Sequence, residues 1–200
     1  IGGGVVGLNS AKLASGWGAK VNILDIDMDR LRYLDDIMPL NVVTHHSNSH
    51  TIEKLLPDTD LLIGGVLVPG SKAPKIISKE MLSMMKKGSV VVDVAVDQGG
   101  CIETTKPTTH ESPIYIVNQI VHYCVANMPG AVPKTSTISL TNSTSSYILE
   151  LLKQDFQRDT FTSKAIASGI NIYKGRITHQ GLAKSFEMPY EELSSIATLK

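Results

Sequence analysis

The sequence predicts a mixed α/β fold built on a doubly wound parallel sheet. Short apolar segments alternate with segments of helical spacing up to about residue 125, which is typical of parallel strands joined by helical crossovers. Several of these segments are apolar throughout, and this indicates a sheet that is covered on both faces. A glycine-rich turn, Gly2-Gly3-Gly4-Val5-Val6-Gly7, suits a strand-to-helix connection at the edge of such a sheet.

The spacing of apolar residues gives the elements in order. It predicts helices over residues 5–17, 28–37, 51–56 and 79–85, and strands over residues 20–25, 41–44, 61–66, 89–96 and 120–125. The first helix ends at glycines 16 and 18, and the second ends before Pro39, because proline cannot continue a helix. After the strand at 89–96 we expect a polar loop as far as Pro113.

The alternation of predicted strands and helices stops near Pro129, which predicts a division of the chain into two parts. A longer helix over residues 137–152 is followed by a helical segment before Gly169 and a short helix after Thr178. We interpret residues 1–130 as a nucleotide-binding domain with a truncated first strand, because the glycine turn should follow a buried strand. Residues 131–200 are interpreted as the C-terminal part of a second, substrate-binding domain. The alternative is a C-terminal cap on the first domain.

Composition argues against several classes of partner. Lysine plus arginine and aspartate plus glutamate each number 19, and this neutral balance disfavours a nucleic-acid or membrane partner. The two cysteines, Cys101 and Cys124, are too few for a disulfide framework and lack the spacing of metal ligands. The chain has no apolar run of about 18 residues and no basic flank of a secretory signal. We therefore expect a soluble, cytoplasmic protein.

The glycine turn carries the Gly-x-Gly-x-x-Gly pattern of dinucleotide-binding folds, with Gly2, Gly4 and Gly7 at the defining positions. The first glycine permits a tight turn, the second lets the backbone approach a pyrophosphate, and the third lets the helix pack on the sheet. The helix that begins here offers unpaired N–H groups to the phosphates. In this context the motif predicts a Rossmann-type domain, although a glycine-rich turn alone also occurs in loops that bind nothing.

Asp25 ends a predicted strand about twenty residues beyond the glycines, where a carboxylate accepts hydrogen bonds from the adenosine ribose. Asp27 and Asp29 add negative charge that would repel the 2′-phosphate of NADP, so we predict NAD as the cofactor. Arg30 is an exception, because an arginine at this corner can accept that phosphate. The alternative for Asp25 is a surface residue that caps the next helix.

Ligands in this fold bind at the carboxyl ends of the strands, which draws attention to two further positions. Ser47 follows the strand at 41–44, where it could contact the adenine side or act as a turn or N-cap serine. Asp97 follows the strongest predicted strand and precedes Gly99 and Gly100. It could stabilise a substrate ammonium or deprotonate a reacting group. The alternative is an Asx turn that closes the loop.

These segments resemble the L-alanine dehydrogenase family. The resemblance is carried by residues 2–9, 24–26, 65–74, 93–101 and 122–133. The wider family includes the nucleotide-binding part of proton-translocating transhydrogenase. Asp97-Gln98-Gly99-Gly100-Cys101, together with Thr108-Thr109-His110, is more similar to the alanine dehydrogenase branch.

The resemblance implies NAD-dependent, reversible oxidative deamination of L-alanine to pyruvate and ammonium by a homo-hexamer, with Asp97 as the catalytic carboxylate. The histidine, lysine and arginine that complete the family's site belong to an N-terminal domain, so we expect these 200 residues alone to be inactive. The cofactor site that the resemblance and the motif together predict consists of Gly2, Gly4, Val5, Val6, Gly7, Asp25, Arg30, Ser47, Val66, Leu67, Val94, Ala95, Val96, Asp97, Lys106, Val125, Ala126, Asn127 and Met128.

Two further points concern a metal site and the class of function. Some family members hold a metal through a glutamate and a histidine one helical turn apart, but Glu150 is followed at that spacing by Gln154, so we predict no metal. The alternatives to a dehydrogenase are an NAD(H)-binding subunit of a membrane transhydrogenase and a non-catalytic NAD sensor.

Overall fold

The computed structural model describes residues 1–68, 72–156, 158 and 160–199. These residues form two compact units, one that ends at Met128 and one that begins at Pro129. The helices are α1 (Val5–Gly16), α2 (Met28–Ile37), α3 (Ser49–Leu55), α4 (Lys79–Leu82), α5 (Pro133–Leu151), α6 (Lys164–Gly169), α7 (Gln180–Phe186) and α8 (Leu193–Ile196). The strands are β1 (Val21–Asp25), β2 (Val42–His46), β3 (Leu61–Gly64), β4 (Val90–Asp93), β5 (Ile114–Val117), β6 (Ile120–Tyr123), β7 (Thr160–Phe161), β8 (Ile172–Tyr173), β9 (Arg176–Ile177) and β10 (Thr198–Leu199).

Parallel pairing dominates the sheets of the first unit. β1 and β2 run parallel, with Asp25 opposite His46. β3, β4 and β6 also run parallel, with Gly64 opposite Asp93, and β5 pairs antiparallel with β6 at the edge. The predicted mixed α/β fold with parallel sheets is therefore confirmed.

The first two residues connect β1 with β3. The amino group of Ile1 donates to the carbonyl of Ile63 at 2.7 Å, and the Gly65 N–H donates to the carbonyl of Ile1 at 2.9 Å. On the other side, the Gly2 N–H donates to the carbonyl of Leu24 at 2.8 Å. These bonds fix the glycine turn at the carboxyl ends of both strands.

The core of the first unit is aliphatic and lies between the strands and their helices. Residues of β3 and β4 meet residues of α3 and α4 in a cluster that includes Leu24, Ile52, Leu56, Leu62, Ile77, Leu82, Val91 and Ile102. A smaller cluster joins α1 to α2 around Ile23 and Leu34. Burial of these side chains supplies the main stabilisation and holds the strand ends in place.

Some predicted boundaries were wrong. β4 ends at Asp93 instead of residue 96, because the Asp93 carboxyl group accepts a hydrogen bond from the Ala95 N–H at 3.1 Å and turns the chain. α4 ends at Leu82 and does not reach residue 85. β5 was not predicted, since its hairpin turn at Asn118 and Gln119 has positive φ angles of 51° and 64° without the glycine that usually marks such a turn.

The second unit begins with α5, whose nineteen residues are all described and include none that is buried. The helix starts at Pro133, earlier than predicted, in agreement with the preference of proline for the first helical turn. Phe161, Ile166 and Leu193 form a small core beside two pairs of two-residue strands. Within the part of the chain that the structure describes, no helix is long and apolar enough to cross a membrane.

Candidate functional site

Two glycines of the turn are required by the packing of the chain itself. Gly2 has a φ of +92°, and a Cβ atom there would lie 2.8 Å from the carbonyl oxygen of Gly65. A Cβ atom at Gly7 would lie 1.9 Å from the carbonyl oxygen of Gly2. Any side chain at Gly7 would therefore force α1 away from the turn.

Gly4 differs from both. Its φ is −67°, which any residue can adopt, and a Cβ atom there would meet no atom within 4 Å among the described residues. Neither backbone conformation nor packing demands glycine at this position, which is the N-cap of α1. An external group that approaches the first N–H groups of the helix would demand it. The turn therefore fits a phosphate-containing ligand.

Asp25 and Arg30 both hold the glycine turn. The Asp25 carboxyl group accepts hydrogen bonds from the N–H of Gly3 at 2.6 Å and from the N–H of Asp27 at 3.0 Å. Arg30 donates from Nε to the Gly3 carbonyl at 2.6 Å, and its guanidinium lies 5.0 Å from the centroid of the Tyr33 ring. The N-cap of α2 is Asp27. The alternative role of Asp25, a cap for this helix, is therefore not what the structure shows.

The remaining residues predicted for the adenosine side and the apolar wall lie at the same strand ends. The Ser47 N–H donates to the carbonyl of Asp25 at 2.8 Å. Val6 packs against Gly65, and Val66 lies beside Gly2. Val5 and Leu67 expose 77% and 60% of their surface, which leaves two large apolar side chains open to a ligand.

The loop after β4 carries Asp97 on a 3₁₀ turn, Val96–Gln98. Its residues differ in exposure, since Ala95 and Val96 are buried, Val94 is half-buried, and Asp97 is exposed. Within the described residues, the Asp97 carboxyl group forms no hydrogen bond or ion pair. The carboxyl group that closes the turn belongs to Asp93 instead. Asp97 is thus free to meet a ligand.

Hydrogen bonds join these segments at the carboxyl ends of the strands. The Val94 N–H donates to the carbonyl of Gly64 at 2.8 Å, next to the bond between Gly65 and Ile1. Because β6 runs parallel to β4, the residues that follow β6 lie beside the same carboxyl ends. Among these, Val125 is buried, Met128 is half-buried, and Ala126 and Asn127 are exposed.

Lys106 lies above an aromatic ring that sequence reasoning missed. Its Nζ is 5.0 Å from the centroid of the Tyr115 ring, and its backbone N–H donates to the Tyr115 hydroxyl at 2.9 Å. Tyr115 also stacks on His122, with ring centroids 5.0 Å apart. Burial lowers the pKa of His122, so its neutral ring accepts from the Thr104 hydroxyl and donates to the carbonyl of Ile120. No sequence signal marked Tyr115, because β5 itself was not predicted.

Gln154, which stands where a metal-binding histidine was considered, has a structural role in the second unit. Its Oε1 accepts from the Thr162 N–H at 2.8 Å, and its Nε2 donates to the carbonyl of Glu150 at 3.0 Å. Among the described residues there is no cluster of three or more histidine, cysteine, aspartate or glutamate side chains that could hold a metal.

The family model described as "Alanine dehydrogenase/PNT, C-terminal domain" matches residues 1–180. The chain belongs to this family. The resemblance seen in the sequence is thereby confirmed.

Individual members of the alanine dehydrogenase/PNT family are also similar over most of the chain. An alanine dehydrogenase of Halomonas elongata is 48% identical over 98% of this chain and 53% of its own length. Alanine dehydrogenase 2 of Staphylococcus aureus is 47% identical over 100% of this chain and 54% of its own length. The chain therefore spans about half the length of these relatives.

Solved structures give the same result. A structure of an L-alanine dehydrogenase has a TM-score of 0.80 at 47% identity, covering 93% of this chain and 51% of that one. A transhydrogenase from Sinorhizobium meliloti has a TM-score of 0.65 at 26% identity, covering 74% of this chain and 42% of that one. Both the identity and the coverage are higher for the L-alanine dehydrogenase than for the transhydrogenase.

Proposed function

We propose that the full-length protein is an NAD-dependent L-alanine dehydrogenase. It would deaminate L-alanine reversibly to pyruvate and ammonium. The observation that carries this proposal is the identity of 47–48% to alanine dehydrogenases along essentially the whole chain. The alternative function is an NAD(H)-binding subunit of a proton-translocating transhydrogenase. The transhydrogenase from Sinorhizobium meliloti is only 26% identical to this chain.

We further propose that residues 1–130 are a Rossmann-type, doubly wound NAD-binding domain and that residues 131–200 belong to a substrate domain. Support comes from the parallel strands and from the hydrogen bonds that place Ile1 and Gly2 between β1 and β3. The compact units divide between Met128 and Pro129. No residue of α5 is buried, which is consistent with a helix that packs on further chain.

NAD would be held at the glycine turn. The first N–H groups of α1 would donate to the pyrophosphate, for which the open space at Gly4 leaves room. Each Asp25 oxygen accepts one hydrogen bond in the structure and retains capacity for a ribose hydroxyl. When bound, NAD supplies the hydride acceptor. The chain's own residues supply binding, orientation and charge.

Asp97 would act on the substrate. An exposed carboxylate without a partner in the described residues can hold the substrate ammonium or accept a proton from a reacting group. It can also balance positive charge that develops as the amine is oxidised. The protein would work as a cytoplasmic homo-hexamer.

The test is a turnover assay on the full-length protein with L-alanine and NAD, following NADH formation, with glycine and serine as controls. We expect alanine to be oxidised faster than either control amino acid, and NAD to be preferred over NADP. Failure to oxidise alanine, with NADH binding intact, would refute the dehydrogenase and leave the sensor or the transhydrogenase subunit.

A further inference from the structure

Asp93, at the end of β4, is a buried carboxyl group with four neighbours that can donate. Its Oδ1 accepts from the Ala95 N–H at 3.1 Å and lies 3.6 Å from the Cys101 thiol. Its Oδ2 accepts from the Ile102 N–H at 3.2 Å and from the Thr105 hydroxyl at 2.6 Å. The residue has no exposed surface. Asp93 therefore binds both ends of the segment 94–105, which we name the Asp97 loop.

The space around this carboxyl group is built to hold it. Gly100 has a φ of +74°, and a Cβ atom there would lie 2.6 Å from Asp93 Oδ2 and equally close to Thr105 Oγ1. Burial raises the pKa of the Cys101 thiol to about 11, and the negative charge of Asp93 is the next largest cause of this shift. The thiol therefore stays protonated and can donate to Asp93. The glycine at 100 is thus explained by Asp93, without a ligand.

A second set of bonds holds the Asp97 loop from outside. Lys75 donates from Nζ to the carbonyls of Gly99, at 2.5 Å, and Ile102, at 3.1 Å. Backbone bonds from the same segment reach the loop as well, since the Ala73 N–H donates to the carbonyl of Gln98 at 2.9 Å. The turn that carries Asp97 lies between these inner and outer attachments.

We propose that Asp93 and Lys75 are positioning residues that hold the Asp97 carboxyl group in a single place for reaction. This inference rests on the role proposed above for Asp97. A buried carboxyl group is costly unless it is both hydrogen-bonded and paired with a cation. Among the described residues the Asp93 carboxyl group has hydrogen bonds but no ion pair, so its presence at the base of the loop calls for a gain elsewhere. Rate depends steeply on placement, and a displacement of about 1 Å can cost about a hundredfold. A fixed loop would supply that gain.

The test uses variants of the full-length protein that leave Asp97 untouched. Thr105→Val removes one donor to Asp93 while it keeps the side-chain shape, and Thr105→Ser keeps the donor. Lys75→Met removes the outer attachment, and Asp93→Asn alters the carboxyl group itself. Thr59→Val is the matched control, because the Thr59 hydroxyl donates to the carbonyl of Leu55 at 2.8 Å, in a turn remote in sequence from the Asp97 loop.

Three quantities are measured besides the melting temperature: kcat for alanine, the Kd for NADH and amide hydrogen exchange. We expect Thr105→Val and Lys75→Met to lower kcat for alanine by about tenfold to a hundredfold, with the Kd for NADH little changed. Amide hydrogen exchange over residues 94–105 should accelerate in both. Thr105→Ser and Thr59→Val should behave like the unmodified protein in all three measurements.

Three results would decide against this inference or against its premise. If Thr105→Val and Lys75→Met lower only the melting temperature, with kcat per folded molecule unchanged, the residues are structural and the inference is wrong. Unchanged exchange over the Asp97 loop would also overturn it, even if Asp93→Asn fails to fold. If the unmodified protein does not oxidise alanine, the proposed function fails, and hydrogen exchange still decides whether Asp93 and Lys75 hold the loop.

Discussion

Replacing Gly4 by alanine should separate cofactor binding from folding. The backbone at Gly4 has a φ of −67°, and the new methyl group would meet no atom within 4 Å of the described chain. Alanine is a poorer N-cap than glycine by roughly 0.5–1 kcal/mol. Alanine also reduces the entropy of the unfolded chain, which stabilises the fold by about 0.4–1 kcal/mol. The two terms nearly cancel, so the melting temperature should change little.

Cofactor affinity should respond differently to the same methyl group. A phosphate at the N-terminus of α1 would come within hydrogen-bond distance of the backbone, and the methyl group would occupy that approach. Hydrogen bonds to charged groups contribute about 1.5–3 kcal/mol each. The loss of one such bond raises the Kd for NADH by about tenfold to a hundredfold, since each 1.4 kcal/mol corresponds to about a factor of ten.

The assay titrates NADH into each full-length variant and records its thermal unfolding. Gly16→Ala is the neutral control, because a Cβ atom at Gly16 also meets nothing within 4 Å and lies at the other end of α1. Gly7→Ala is the destabilised control, since its methyl group would lie 1.9 Å from a backbone carbonyl. An unchanged Kd in Gly4→Ala, or a loss of stability as large as in Gly7→Ala, would refute the reasoning.

Three further predictions concern single side chains of the full-length protein. Asp25→Ala should weaken NAD binding and shift the preference toward NADP, because the carboxylate would pair with ribose hydroxyls and repel a 2′-phosphate; the Kd for each cofactor measures this. Asp97→Asn should lower kcat by about 10²- to 10⁴-fold with little change in NAD affinity or melting temperature, since the amide keeps the shape without the charge. Burial lowers the pKa of His122 below its ordinary value of 6.5, so at falling pH the unfolded chain binds a proton that the folded chain does not. The melting temperature should therefore decrease as the pH is lowered from about 6.5, and it should decrease less in His122→Gln.

Each of these predictions has an outcome that would contradict it. Equal use of NAD and NADP by the unmodified protein would contradict the role of Asp25. A near-normal kcat in Asp97→Asn, measured per folded molecule, would remove the catalytic assignment. For His122, the exposed His46 provides the control, and an equal pH dependence in His46→Gln and His122→Gln would show that other groups control acid stability.

The parts of the fold that the sequence predicted well are those in which several local signals agree. α2 spans Met28–Ile37, as its apolar spacing predicted. Asp27 caps its first turn, and Pro39 follows closely after its end. β5 lacked such agreement, because its hairpin turn carries asparagine and glutamine at positive φ. Long-range contacts, such as Arg30 with the Gly3 carbonyl, have no local signal at all.

The end of β4 shows why the candidate catalytic residue could be named from the sequence while its setting could not. Side chains alternate between the two faces of a strand, and Val91 and Asp93 are both buried on one of them. If the strand had continued past residue 96, Asp97 would have pointed to that same buried face. The bond from the Ala95 N–H to Asp93 ends the strand and begins the turn at Val96–Gln98. The burial of Asp93 is therefore what brings Asp97 to the surface, and the roles of the two carboxyl groups follow from one local event.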